Sequence, residues 1–123
     1  MPPVKNVTVV KSRMTGYPLT LSEIVSWCRS KQRSLADSPV SVIGIRERTE
    51  HLPAVAADFN GPDTMGRING WESGEFDFEV VRVLDGASMF WRHVNVSAVD
   101  ALEAPYDDFL QQMLSAGASN ERA

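Results

Sequence analysis

Along the chain, apolar positions fall first at helical spacing, then at alternating spacing, then at helical spacing again. Leu21, Ile24, Val25 and Cys28 recur every three or four residues, while Arg29, Lys31, Gln32 and Arg33 are polar. Thr20 and Glu23 have the spacing of a capping box, and Leu19 with Ile24 that of a hydrophobic staple, so a helix is predicted to start after Thr20. Its basic residues sit in the later turns, where they favour the negative end of the helix dipole. Asp37-Ser38-Pro39 ends it.

From Val40 the period changes. Val40, Val42, Ile43 and Ile45 are β-branched and predict a strand to about Arg48. Pro53 interrupts, and Ala54 to Phe59 alternates with Val55, Ala57 and Phe59 on one side. Asn60-Gly61-Pro62-Asp63 reads as a turn, and three further strands are predicted at about Met65–Trp71, Glu75–Leu84 and Ala87–Val96. A last helix is expected from Ser97, capped with Asp100 three residues on. It carries an apolar stripe of Val99, Leu102, Tyr106, Phe109, Leu110, Met113 and Leu114, with a kink or break near Ala104 imposed by Pro105. Residues 1–18 form an opening segment in which Val7, Val9 and Val10 suit a short edge strand, and residues 116–123 are expected to fray. The pattern predicts one α+β domain spanning residues 1–123: an antiparallel β-sheet of four or five strands with an N-terminal and a C-terminal helix packed on one face.

The turns fix a register. Glu72-Ser73-Gly74 suits a three-residue loop closed by Gly74 in the left-handed region, which pairs Ile68 with Phe78, Gly70 with Phe76, Arg67 with Glu79 and Asn69 with Asp77. A two-residue loop would instead put Arg67 and Asn69 on the side of Phe76 and Phe78, and such a slip turns every side chain over. Asp85-Gly86 suits a two-residue type I′ turn, pairing Val80 with Trp91, Phe78 with His93, Glu79 with Arg92 and Val81 with Phe90. One face is then expected to carry Ile68, Phe76, Phe78, Val80, Met89 and Trp91 under the helices. The other carries a row of Arg67, Glu79 and Arg92, with Asn69, Trp71, Asp77, Val81 and Phe90 beside it. Aromatic and charged residues mixed on a flat sheet face are the composition of a protein interface, unless the opening segment covers them.

Composition narrows the chemistry. The formal charge of −4 argues against a nucleic-acid partner, which calls for a basic stripe. No run approaches the roughly 18 apolar residues of a membrane span, and no signal-peptide pattern opens the chain, so a cytoplasmic protein is expected. The single Cys28 excludes an intramolecular disulfide and reads as a small buried hydrophobe. His51 and His93 lack ligand spacing to Cys28 or to a carboxylate pair; His93 is expected in the core and His51 in a solvated turn. No glycine-rich phosphate loop precedes a helix. Asp100, Glu103, Asp107 and Asp108 give the last helix an acidic, solvated side that could steer a basic partner. No catalytic residue, metal site or cofactor is expected.

The run Gly66-Arg67-Ile68-Asn69-Gly70-Trp71-Glu72-Ser73-Gly74, followed by Asp77-Phe78-Glu79-Val80, resembles the TriTu-type immunity proteins of bacterial polymorphic toxin systems. Phe90-Trp91 and Phe109-Leu110 match that family's tryptophan-containing strand and its last helix. Gly70, where an aliphatic residue is expected, and Pro105 depart from the pattern. The resemblance covers residues 64–114 and implies a non-catalytic protein that binds and blocks a cognate toxin effector domain inside the producing cell. Candidate contacts are Arg67, Asn69, Trp71, Asp77, Glu79, Phe90 and Arg92 on the sheet face, or the acidic helix. Two other readings remain at this point: a secretion adaptor or effector chaperone, and a small ligand-binding or enzymatic α+β domain.

Overall fold

A capping box and a glutamate from a distant turn set where the first helix begins. In the computed structural model, which describes residues 16–50 and 52–122, helix α1 spans Leu21–Ser34. The Thr20 hydroxyl accepts from the Glu23 N–H at 3.1 Å, and the Glu23 carboxylate accepts from the Thr20 N–H at 2.9 Å. Glu72 adds a third tie: its carboxylate accepts from the Leu21 N–H at 2.9 Å and its carbonyl from the Leu19 N–H at 3.2 Å. Orphan donors of the first helical turn are thus satisfied by side chains from two parts of the chain. His51 and the Val7–Val10 strand lie outside the described residues.

Five strands follow: β1 (Ser41–Arg48), β2 (Ala54–Asn60), β3 (Thr64–Trp71), β4 (Glu75–Arg82) and β5 (Ser88–Asn95). They pair in chain order as one antiparallel meander. A 3₁₀ turn at Val99–Leu102 leads into helix α2 (Glu103–Arg122). Both helices pack on the same side of the sheet, α1 over β1 and β2, and α2 over β3, β4 and β5. Between them lie Phe59, Phe76, Phe78 and Phe109, all fully buried, with Ile24, Ile68, Leu102 and Met113. Each such side chain contributes about 1.5–3 kcal/mol by leaving water.

The β3–β4 hairpin has the expected register: Arg67 faces Glu79, Ile68 faces Phe78, Asn69 faces Asp77 and Gly70 faces Phe76. Gly74 closes the turn at φ +95°. At Gly70 a Cβ would collide with the Phe76 ring, which lies over the bare glycine. The departure from an aliphatic residue there is filled by its own cross-strand partner.

The β4–β5 hairpin differs from expectation by one residue. Asp85 accepts from the Arg82 guanidinium at 3.0 and 3.1 Å and from the Ala87 N–H at 3.1 Å. The Val83 N–H goes to the Asp63 carbonyl, and the Arg82 N–H to that of Ala87. The strands therefore close at Arg82 and Ala87 around a four-residue loop rather than at a two-residue type I′ turn. Val81 faces Ser88 and Val80 faces Phe90, leaving Met89 as the extra residue of a bulge. Every later side chain of β5 changes sides: Phe90, Arg92 and Val94 lie with the helices, while Trp91 and His93 lie on the open face.

The last helix also departs in detail. Ala98, not Ser97, precedes the 3₁₀ turn, with no side-chain cap. The expected break falls where this turn gives way to α2 at Glu103, and Pro105 sits in the helix's first turn, where it removes no needed donor. The helix runs to Arg122. Its acidic side is partly engaged: Asp108 accepts from Arg92 at 2.6 Å, and Glu103 from Lys31 at 2.6 Å and the Trp27 indole at 2.8 Å. Lys31 also lies 4.9 Å from the centre of the Tyr106 ring, so Glu103, Lys31, Trp27 and Tyr106 clamp the two helices together.

Burial pushes the Glu103 carboxyl up, but the hydrogen bonds from Lys31 and Trp27 outweigh it and hold the group below its ordinary value of 4.5. A carboxylate with a depressed folded value contributes stability above its unfolded value and loses it as pH falls through the folded one. Glu103→Gln is expected to lower the melting temperature at pH 7, with the deficit closing as pH falls below 4.5; melting curves of both proteins across that range check it.

The Tyr106 hydroxyl is buried without a hydrogen-bond partner among the described residues. Burial, followed by nearby Glu103 and Asp107, pushes its ionisation up, so it stays neutral and uncompensated. Removing an unsatisfied group relieves its desolvation cost. Tyr106→Phe is therefore expected to gain about 1 kcal/mol in urea unfolding; a loss of that size would reveal a partner.

Candidate protein-binding surface

With both helices on one side, the other face of the sheet is left open among the described residues. Strand alternation puts Arg46 of β1, Asp58 of β2, Met65, Arg67, Asn69 and Trp71 of β3, Glu75, Asp77, Glu79 and Val81 of β4, and Trp91 and His93 of β5 on this face. Five of the seven contacts expected from the sequence, Arg67, Asn69, Trp71, Asp77 and Glu79, lie together here. Phe90 and Arg92 do not. Phe90 packs against the core, and Arg92 lies over the Phe90 ring at 5.0 Å while pairing with Asp108. The expected row of Arg67, Glu79 and Arg92 becomes Arg67, Glu79 and Trp91.

Trp91, expected under the helices, lies on the open face instead. Its side chain is 61% exposed and stacks on His93 with ring centres 6.4 Å apart. His93, expected in the core, stands instead between two carboxylates, with Nδ1 2.5 Å from Asp77 and Nε2 3.7 Å from Glu75. Asp58, also unforeseen, takes both Arg67 at 2.6 Å and Arg46 at 3.0 Å. Burial pushes the Asp58 carboxyl up, yet the two guanidinium hydrogen bonds prevail and hold it below the ordinary carboxylate value. Beside this pair of arginines is a groove of about 330 Å³ lined by Ile43, Met65, Val81, Asp58, Arg67 and Glu79. Ile43 is 58% and Met65 49% exposed, and the bulge at the start of β1 turns Ile43 out.

Burial, opposed weakly by Arg29, pushes the Cys28 thiol up to about 12, so it stays protonated inside α1. No group of three or more His, Cys, Asp and Glu among the described residues could hold a metal ion. Within the same residues, no helix is long and apolar enough to cross a membrane. A broad face of exposed aromatic, aliphatic and charged residues is suited to contact with another macromolecule.

The family model for immunity protein TriTu matches residues 22–112, from α1 into the first half of α2. The chain belongs to the TriTu immunity protein family. No curated protein matches it. Within this TriTu fold, the Trp-Glu-Ser-Gly turn has a structural use: Glu72 caps α1, and Gly74 lets the hairpin turn against Val96, whose N–H donates to the Gly74 carbonyl at 2.8 Å. Membership implies a toxin as protein partner.

Proposed function

We propose that this protein neutralises a cognate toxin effector domain by binding it through the open sheet face, without chemistry of its own, inside the cell that makes the toxin. The observation that carries the surface assignment is Trp91, a large exposed aromatic at the side of an apolar groove and a charged row. Tryptophan anchors of this kind dominate binding energy when a partner desolvates them. The face is supported from beneath by buried Phe76 and Phe78, so it is held rigid before contact, which lowers the entropy cost of association. Family membership supplies the toxin as partner.

Co-expression with the effector domain encoded by an adjacent toxin gene tests the role. Growth is expected to be restored by this protein. A secretion adaptor would bind the same domain and leave the cells unprotected.

A further inference from the structure

The charges of the open face are unevenly spent. Register places Arg67 directly opposite Glu79, where side chains four to six ångströms apart would normally pair. The Arg67 guanidinium turns the other way, to Asp58, which already holds Arg46. Asp58 is 23% exposed, so its ion pairs are less screened than any that Glu79 could offer on an open surface. Glu79 consequently has no cation among the described residues, and β4 presents Glu75, Asp77 and Glu79 in a column on one side of the sheet. Opposite Glu79 on β5 is Trp91, whose ring has no cation over it among the described residues. Glu79 also lines the groove walled by Ile43, Met65 and Val81.

We propose that this face receives a cationic segment of the toxin, with an arginine or lysine head group seated between the Glu79 carboxylate and the Trp91 ring and its aliphatic stem against the groove wall. The inference rests on the protein-binding role proposed above and adds the chemistry of the partner. A guanidinium or ammonium donates a charge-assisted hydrogen bond to the carboxylate and makes a cation–π contact with the indole. The apolar groove accepts the methylene stem that such side chains bury while keeping the charge outside. Asp58 cancels one of the two charges of Arg46 and Arg67 and holds both guanidinium groups on its own side, so they repel an incoming cation less than two free arginines would.

Two measurements test this. In the isotope-labelled full-length protein at about 20 mM salt, where screening is weak, acetylated hexa-arginine amide is expected to shift the amides of Asp77 and Glu79 and the Trp91 indole N–H. Hexaglutamate should not shift them. Shifts centred on Asp100 and Asp107 instead would overturn the assignment. With the adjacent gene's effector domain, Glu79→Gln is expected to weaken binding about 10-fold and Glu79→Lys about 30-fold, with unchanged melting temperatures. The parent's affinity should also fall as salt rises. Tight toxin binding that ignores both substitutions and salt would overturn the cationic partner while leaving the immunity role intact. Failure of the parent to bind or protect would remove that role instead, and the proposed toxin contact with it.

Discussion

Gly74→Ala is expected to destabilise the fold by about 3–4 kcal/mol, among the largest effects of any single methyl group in this chain. The residue sits at φ +95°, a region that L side chains rarely adopt, and its added Cβ would collide with the Val96 carbonyl oxygen. Neither can yield cheaply. The Gly74 carbonyl accepts from the Val96 N–H, and the preceding Glu72 is tied to both Leu19 and Leu21. Moving the turn would therefore loosen the end of β5 and the start of α1 together. Gly86 provides the control, since its φ of +71° is also left-handed but a Cβ there meets nothing within 4 Å. Gly86→Ala should cost only about 1 kcal/mol, the backbone penalty alone. Urea unfolding of the two variants separates collision from conformational strain. Equal losses would mean that the tie between turn, strand and helix is not rigid.

Much of the fold was legible because local signals agreed with each other. Thr20 and Glu23 marked one helix start, the alternation of Val55, Ala57 and Phe59 marked the buried side of β2, and Gly74 selected the three-residue loop over the two-residue one. In that hairpin, a slip would have sent Arg67 and Asn69 inward with Phe76 and Phe78, so hydrophobic pattern and turn chemistry pointed the same way. The β4–β5 hairpin lacked that agreement. Met89, Trp91 and His93 make as plausible an inner set as Phe90, Arg92 and Val94, since each holds two apolar residues and one polar one. Only the turn could decide, and Asp85-Gly86 resembles a type I′ turn. What overrode it was partly tertiary, since the Val83 N–H is taken by the Asp63 carbonyl, and partly local, since Asp85 accepts from Arg82 and Ala87 within the loop. Asp108 of α2 then gives Arg92 a partner at the rim of the helix side. Neither contact can be read from strand alternation.

The same slip explains what was read correctly and incorrectly about the candidate surface. Arg67, Asn69, Trp71, Asp77 and Glu79 depend only on the β3–β4 register and lie on one face as expected. Phe90 and Arg92 depend on the second turn and fall on the other side, exchanging places with Trp91 and His93. Asp58 escaped notice because its role arises from two arginines on the strands flanking it, and charge pairing across three strands leaves no mark in the local sequence.

Neighbouring residues of β5 point in opposite directions and so separate toxin binding on the open face of the sheet from binding on the helix side. Trp91→Ala removes an exposed anchor and is expected to cost about 2–3 kcal/mol of binding, roughly 30- to 100-fold in Kd. As a surface change it should leave the melting temperature nearly unaltered. Arg92→Ala breaks the pair with Asp108 and uncovers Phe90, so it should lower stability slightly while leaving affinity unchanged. The decisive measurement is calorimetric titration of both variants with the effector domain encoded by the adjacent toxin gene. A large loss for Trp91→Ala and none for Arg92→Ala is the predicted result; full affinity in Trp91→Ala with a large loss in Arg92→Ala would place the interface on the helix side and contradict the account.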